Sequence, residues 1–470
     1  MIQVVAYFLK IVGIFFILYL AFYATYLFLS VSVGAWRLYT QDKMRQMKNV
    51  LKHPFYFPVS ILVPAYNEEV TIIDSIESLL DLDYKLYEII IINDGSTDNT
   101  DKYLIDHFKM DKVDRPIRLK IKCNNAIDIY EKTVSNIKIT LINKENGGKS
   151  DALNMGINAS EFPYFLCVDA DSMLQRDSLE QIAQPLLEEK NVIAVGGLIR
   201  VAQCVEMENG IVKKYRLPKW NLFTSMQVME YDRSFLASRL LLDTYNGNLI
   251  ISGAFGLFNK EYVMSVGGYD PTTVGEDMEL VTKLHVFCRN NMIDYSIKYA
   301  PNAICWSQVP GSPGDLARQR RRWHIGLYQS LKKYKSMLFK QRFGLLGTVT
   351  YLYFLLYELY SPVIELFGIG TIVLSWFVGL LNVRFMINIF LLYAIYGAIL
   401  SITAFFQRIY TQNLEITFVD GVKACFICLF ENIFFRFFMD IVRGSALIGI
   451  SKGNRKWGRQ TRKKQNRVQT

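Results

Sequence analysis

Asp169 and Asp171 stand one residue apart, directly after the apolar run Tyr164-Phe165-Leu166-Cys167-Val168. The run reads as a buried strand. That places two carboxylates at a strand's C-terminal end, the edge at which open α/β sheets bind ligands. Carboxylates this close repel each other unless a proton or a cation compensates them. A hard divalent ion, Mg²⁺ or Mn²⁺, shared with the oxygens of a nucleotide diphosphate fits these residue types. A solvated turn carries the same pair by chance, so the surrounding motifs have to decide between the two.

Six further clusters carry comparable chemistry. Val63-Pro64-Ala65-Tyr66-Asn67-Glu68-Glu69 closes one strand and opens a helix, which ordinary N-capping also explains. Asn93-Asp94-Gly95-Ser96-Thr97-Asp98 closes a second strand in a turn with its own cap. Asn146-Gly147-Gly148-Lys149-Ser150 follows a third. Its glycines let backbone approach a ligand, and a lysine opening a helix suits a phosphate. The spacing is not that of a Walker A loop, and a plain glycine turn is the alternative. Gly275-Glu276-Asp277 follows the turn-rich Gly267-Gly268-Tyr269-Asp270-Pro271, and either acid could cap the next helix. Gln319-Arg320-Arg321-Arg322-Trp323 offers guanidinium groups that match phosphate geometry. A basic helix at a membrane surface would use the same residues. Ser252-Gly253-Ala254-Phe255-Gly256 reads equally as a tight turn. His53, His107, His285 and His324 show no zinc spacing and are read as structural.

These clusters need a frame. Between Pro58 and about Trp306, β-branched runs at 59–63, 88–93, 137–142, 164–168 and 192–195 alternate with helical stretches at 68–80, 97–107, 150–158 and 176–187. The alternation predicts a mostly parallel sheet with helices on both faces. The first, second and fourth of these strands end in acidic or amide clusters on one edge, which capping alone does not explain. Residues 110–133 read as a charged surface excursion. Residues 203–248, with Trp220, Phe223, Tyr231 and Phe235, read as helices, against a membrane or in a subdomain.

The 470 residues carry a net charge of +10 and are 51% hydrophobic, which points to a membrane more than to nucleic acid. Residues 11–36 are long enough to cross a bilayer, and Arg37, Lys43, Arg45, Lys48 and Lys52 follow at once. This predicts a retained anchor within residues 1–36 and a cytoplasmic domain over 53–330. A membrane region over 345–450 follows: an interfacial helix to Tyr360, crossings at 363–381 and 385–406, and an in-plane or re-entrant segment at 424–450. A basic cytoplasmic tail, 451–470, ends the chain. The seven cysteines include Cys425 and Cys428 in an apolar stretch, read as packing.

The ordered series P-A-Y-N-E-E, N-D-G-S-T-D, N-G-G-K-S, D-A-D, G-E-D and Q-R-R-R-W resembles the processive family-2 glycosyltransferases. These are the inverting membrane synthases of cellulose, mixed-linkage β-glucan, hyaluronan and poly-N-acetylglucosamine. The resemblance implies a GT-A-like α/β fold in a multi-pass plasma-membrane protein with its catalytic domain in the cytoplasm. It puts Ala65, Tyr66, Glu68 and Asp94 at the uracil and ribose, with Lys149 near the nucleotide. Asp169 falls by the donor's ribose and phosphates, and Asp171 on Mg²⁺ or Mn²⁺. Asp277 becomes the general base, with Glu276 competing for the role. Gln319 and Arg322 sit over the diphosphate. Trp323, with Ser252, Gly253 and Phe255, meets the acceptor sugar. The expected partners are a UDP-sugar, the growing polysaccharide, the bilayer and, compatibly, accessory subunits.

UDP-glucose and a β-glucan are the leading expectation, with N-acetylglucosamine or hyaluronan-type polymers as the alternative. A non-processive transferase onto lipid and a non-catalytic transport scaffold rank lower. Two departures bear on the product. No C-terminal regulatory β-barrel is recognisable, and Val274-Gly275 stands where cellulose synthases have Thr before Glu-Asp.

Overall fold

The computed structural model describes residues 2–48, 56–208, 210–218, 221–412 and 414–448. Lys52, His53, Trp220 and the basic tail 451–470 lie outside these, so the expectations placed on them are not addressed.

Twelve strands form: β1 (Val59–Ala65), β2 (Tyr87–Asp94), β3 (Asp111–Val113), β4 (Ala126–Val134), β5 (Ile137–Lys144), β6 (Tyr164–Val168), β7 (Met173–Leu174), β8 (Val192–Val201), β9 (Val205–Glu208), β10 (Ile211–Tyr215), β11 (Phe255–Asn259) and β12 (Ser296–Ser307). Ten make one sheet in the order β3-β4-β5-β2-β1-β6-β11-β8-β12-β7, and β9–β10 is a separate hairpin. The β5-β2-β1-β6 centre is parallel. β1, β2 and β8 are buried at every position, as expected of strands covered on both faces. Ile61, Val63, Ile89 and Ile91 pack into one layer, and Leu62, Ile90 and Ile92 into the other.

The register carries the functional consequence. Ala65 pairs with Asn93 and Asp94 with Lys144, so β1, β2 and β5 end together. Phe255 pairs with Val168 in an antiparallel ladder, so β11 begins where β6 ends. The loops after β1, β2, β5 and β6 and the turn before β11 therefore meet on one edge.

Two expectations need correction. Residues 110–133 are only partly an excursion, because β3 and β4 extend the sheet through antiparallel pairing to β5. Charged residues such as Glu131 and Lys132 disguise the penultimate strand, β4, which buries Ile129. Residues 203–248 begin with the β9–β10 hairpin before turning helical at Leu222–Tyr231.

The helix Ile2–Lys48 is longer than the apolar run alone required. Among the described residues two helices, Gln3–Thr40 and Val383–Thr411, are long and apolar enough to cross a membrane. A third span is available if Leu346–Leu359 and Ser361–Phe377, bent by 54°, count as one. The bend falls at Tyr360, with Pro362 in the first turn of the second half, where its missing N–H costs nothing.

The charges expected within 424–450 face other helices. Glu431 pairs with Arg233 at 2.9 Å and Arg436 with Glu365 at 2.5 Å. Arg443 lies 3.8 Å from both Glu230 and Glu358. The first helix meets the sheet domain through Arg37 and Asp243, whose other oxygen accepts the Tyr299 N–H on β12 at 2.8 Å.

Candidate active site

The first two loops are tied to each other. Asn67, at φ 57°, accepts from the Thr97 N–H at 2.7 Å, and the Ser96 hydroxyl accepts from the Asn67 N–H at 2.9 Å. The Glu68 N–H donates to Thr100 Oγ1 at 3.0 Å. The helix starts only at Ile72, so Asn67 is a loop-to-loop tie and not its cap. Ala65 is buried and Tyr66 half-buried beside this tie.

Asp94 sits at the end of β2, where the expectation placed it, and is held from within the protein. It is fully buried and accepts from Lys144 Nζ at 2.6 Å, the Gly147 N–H at 3.0 Å and the Gly148 N–H at 2.7 Å. Its carboxylate thereby shapes the glycine loop. Lys144, also fully buried, reaches Asp151 at 2.7 Å as well. Gly95, at φ +68°, comes so close to this loop that a Cβ would lie 2.8 Å from the Asn146 nitrogen.

The held loop delivers Lys149 into a ring of acids. Its ammonium lies 2.5 Å from Asp169 Oδ1, 3.4 Å from the Gly253 carbonyl and 3.9 Å from Glu276 Oε1. Burial opposes the charge on Lys149, but Asp169, Glu276 and Asp277 outweigh it and raise its pKa. Burial also raises the Glu276 carboxyl, with Lys149 opposing and Asp277 adding to the rise. Asp277 accepts from the Gly253 N–H at 3.3 Å and the Met278 N–H at 2.8 Å, which fixes its orientation. Gly253 thus bridges the lysine and the aspartate through its own peptide groups.

The helix Pro313–Lys333 carries Gln319–Trp323 and packs directly on this acidic loop. A Cβ on Gly275 would lie 2.7 Å from Gly326 Cα, and one on Gly326 would lie 2.7 Å from Gly275 Cα. Only glycine at both positions allows the backbones so close. Gln329 fastens the same contact, accepting from the Val274 N–H at 3.0 Å and the Thr273 hydroxyl at 2.9 Å. Arg322 is near enough that its charge acts on Glu276. Gln319 Oε1 is buried with no hydrogen-bond partner among the described residues. Trp323 is 36% exposed, with the Arg320 guanidinium 4.4 Å from its ring centroid.

One expected residue does not reach the pocket: Phe255 is fully buried, its ring filling the space beside Gly197, so it is core and not an acceptor surface. Ser252 accepts from the Phe255 N–H through its carbonyl at 3.0 Å, closing the turn that presents Gly253. His324 is buried and uncharged, its pKa pushed down to about 4 by burial and by Arg443.

Asp171 is buried at the same edge, two residues from Asp169. Among the described residues no group of three or more His, Cys, Asp or Glu side chains is arranged to hold a metal.

Known proteins resemble this chain in sequence and in fold. The sequence profile described as "Glycosyl transferase family 2" matches residues 60–264. That described as "Glycosyl transferase family group 2" matches residues 164–406, more than half of the chain. The chain belongs to glycosyl transferase family group 2. It is 29% identical over 306 residues to a poly-beta-1,6-N-acetyl-D-glucosamine synthase of Staphylococcus epidermidis, covering 63% of each chain. It is 32% identical over 289 residues to the Staphylococcus aureus synthase of that name, covering 61% of this chain and 59% of the other. The match therefore spans under two thirds of these relatives.

Among solved structures, a mannosyltransferase from Pyrobaculum calidifontis, in complex with GDP-Man and Mn²⁺, superposes with a TM-score of 0.52 at 18% identity. It covers 89% of this chain and 99% of that one, a likeness of fold. The GT-A-like α/β architecture of this family-2 glycosyltransferase agrees with the expectation from sequence.

Proposed function

We propose that this family-2 glycosyltransferase is a processive, inverting hexosyltransferase that polymerises N-acetylglucosamine from UDP-N-acetylglucosamine. The observation that carries the reaction is the contact of Gly275 with Gly326, which joins the loop of Asp277 to the helix of Arg322. One backbone junction thereby holds a candidate base and a candidate diphosphate clamp in fixed relation. The sugar rests on the relatives named above; the residues of the pocket by themselves suit UDP-glucose and a β-glucan equally.

In this reading Asp277 takes the proton of the acceptor hydroxyl as its oxygen attacks the anomeric carbon. The bond from that carbon to the diphosphate breaks on the opposite face, and UDP leaves. Arg322 and Gln319 receive the departing diphosphate, and Lys149 lowers the repulsion among Asp169, Glu276 and Asp277. Asp169 and Asp171 would hold Mg²⁺ or Mn²⁺, which when bound neutralises charge developing on the leaving group. Trp323 offers the acceptor sugar an aromatic face.

A route for the product is supported by a seam of tyrosines between the first helix and the bent pair. Tyr19 and Tyr357 stack at 4.7 Å and Tyr26 and Tyr353 at 4.0 Å, with Arg436 5.1 Å from the Tyr23 ring. The proposed setting is a multi-pass membrane protein with this pocket on the cytoplasmic side.

Membranes containing the full chain test the proposal through UDP release from UDP-N-acetylglucosamine, UDP-glucose and UDP-glucuronate, each with Mg²⁺ or Mn²⁺. Turnover with the first donor should give a polymer sensitive to a hexosaminidase and should fall about 10²–10⁴-fold in Asp277→Asn. Turnover restricted to UDP-glucose would return the reading to a β-glucan. An Asp277→Asn variant as fast as the parent would remove the assigned base.

A further inference from the structure

Arg200 lies near the end of β8 with 2% of its surface exposed. None of its three guanidinium nitrogens has a hydrogen-bond partner among the described residues. Its charge lies 5.4 Å from the Trp306 ring centroid, a contact that offsets only part of the cost of burial. The neighbouring acid, Asp232, is paired with Arg408 at 3.2 Å. Burial pushes the Arg200 guanidinium down to about 9, Arg408 adding to the fall and Asp232 opposing it, so it remains a cation at neutral pH. A buried cation without an acceptor is an expensive group to keep.

Arg200 lines a cavity of about 620 Å³ between the β9–β10 hairpin and the chain following the helix Val383–Thr411. Lys213, Lys214 and Arg216 line it too, against the single carboxylate of Glu415. Glu208 engages Lys213 at 3.2 Å, which leaves the cations in excess. Gln412 lines the cavity with both amide atoms buried and without partners among the described residues. Two elements distant in the chain thus turn unanswered polar groups into one space. Its volume is that of a small-molecule site, and guanidinium and ammonium groups suit phosphate oxygens. Gln412 ends an apolar helix, and the next helix leaves Phe418 86% and Val419 72% exposed. The cavity therefore lies where an apolar phase would give way to water.

We propose that this cavity binds a phosphate-bearing ligand, Arg200 meeting it at depth and Lys214 and Arg216 at the rim. The ligand is either a phospholipid headgroup or a soluble phosphate compound. The lining shares no residue with the pocket around Asp171 and Asp277, but a strand path connects them. Arg200 pairs with Trp306 across β8 and β12, and Trp306 pairs with Met173 on β7, two residues from Asp171.

The test uses the full chain in neutral detergent and follows thermal midpoint and tryptophan fluorescence. The probes are sodium pyrophosphate and dihexanoyl phosphatidylglycerol, with dihexanoylglycerol as the phosphate-free blank. At least one phosphate probe should saturate while the blank does nothing. Lys214→Ala with Arg216→Ala should weaken that binding at least about tenfold, and Arg200→Gln should abolish it. Saturation by pyrophosphate alone identifies a soluble ligand, and by the lipid alone a headgroup. Should Arg200→Gln fail to fold, the double variant decides, because both its residues are exposed. Saturation by neither probe, or equal affinity in the double variant, would overturn the proposal.

Discussion

Replacing Gly275 by alanine tests the junction on which the catalytic reading rests. Gly275 has φ −120° and ψ 57°. An alanine adopts that negative φ without needing the left-handed region, so the effect comes from contact. The new Cβ would lie 2.7 Å from Gly326 Cα and 3.0 Å from its carbonyl carbon. Carbon atoms rest about 3.5–4.0 Å apart, so loop and helix must separate by about 1 Å. The obstructing atoms are backbone, and no rotamer relieves them. Overpacking of this kind costs about 1–3 kcal/mol of stability. A displacement of about 1 Å between reacting groups can cost about 100-fold in rate, or about 2.7 kcal/mol of barrier. UDP release at saturating donor should therefore fall about 100-fold, with the donor KM within about threefold of the parent. Gly314→Ala, on the same helix with its nearest neighbour 4.0 Å away, is the control and should leave the rate unchanged. A folded Gly275→Ala protein at parental rate would mean that the junction does not set the distance between Asp277 and Arg322.

Three more substitutions probe the surrounding framework. Lys149→Met removes the cation between Asp169 and the Gly253 carbonyl; kcat should fall at least about 100-fold, and UDP release reads it directly. Gln329→Ala frees Thr273 and Val274, and should lower stability by about 1–3 kcal/mol for two lost hydrogen bonds, visible in the thermal midpoint. His285 is held neutral between Asn248 O at 2.9 Å and the Tyr295 hydroxyl at 2.6 Å, and burial pushes its pKa down to about 4. The unfolded chain binds its proton near pH 6.5, so between about pH 6.5 and 4 the unfolded state holds more protons and stability rises with pH. The contribution, on the order of 3 kcal/mol, is complete above that window and lost as pH falls through it. His285→Gln should flatten the pH dependence of the thermal midpoint there, and an unchanged slope would assign it elsewhere.

Legibility in the sequence followed the range of the interaction. The central strands were readable because a parallel strand covered on both faces must be apolar along its length, as in Ile89-Ile90-Ile91-Ile92. The penultimate strand β4 was not, since its exposed side carries charges that resemble a loop. Asp94 was recognised as significant, but its role inside the protein was not legible: it accepts from Lys144 on β5 and from the glycine loop. A wholly buried lysine leaves no local mark, because only the register of β2 on β5 brings it under the aspartate. Phe255 was misassigned because a motif gives spacing and not direction, and the β11 pleat turns that ring inward. Gln329 and Gly326 were missed because their partners are about 50 residues away; a glycine in the Gly275-Glu276-Asp277 motif and another three residues past Trp323 were the available signal.

Glu230 has a wider consequence. It accepts from Arg320 at 2.6 Å on the helix of the clamp and lies 3.8 Å from Arg443, itself 3.8 Å from Glu358 in the bent pair. The clamp consequently has no pivot of its own. In a bilayer, a change of thickness is absorbed by tilting the helices that cross it. Here a tilt of the bent pair has to break an ion pair or move the guanidinium groups over the pocket. Under the proposed function, acyl-chain length in the host membrane would then act as a throttle on turnover without touching any residue assigned to the sugar.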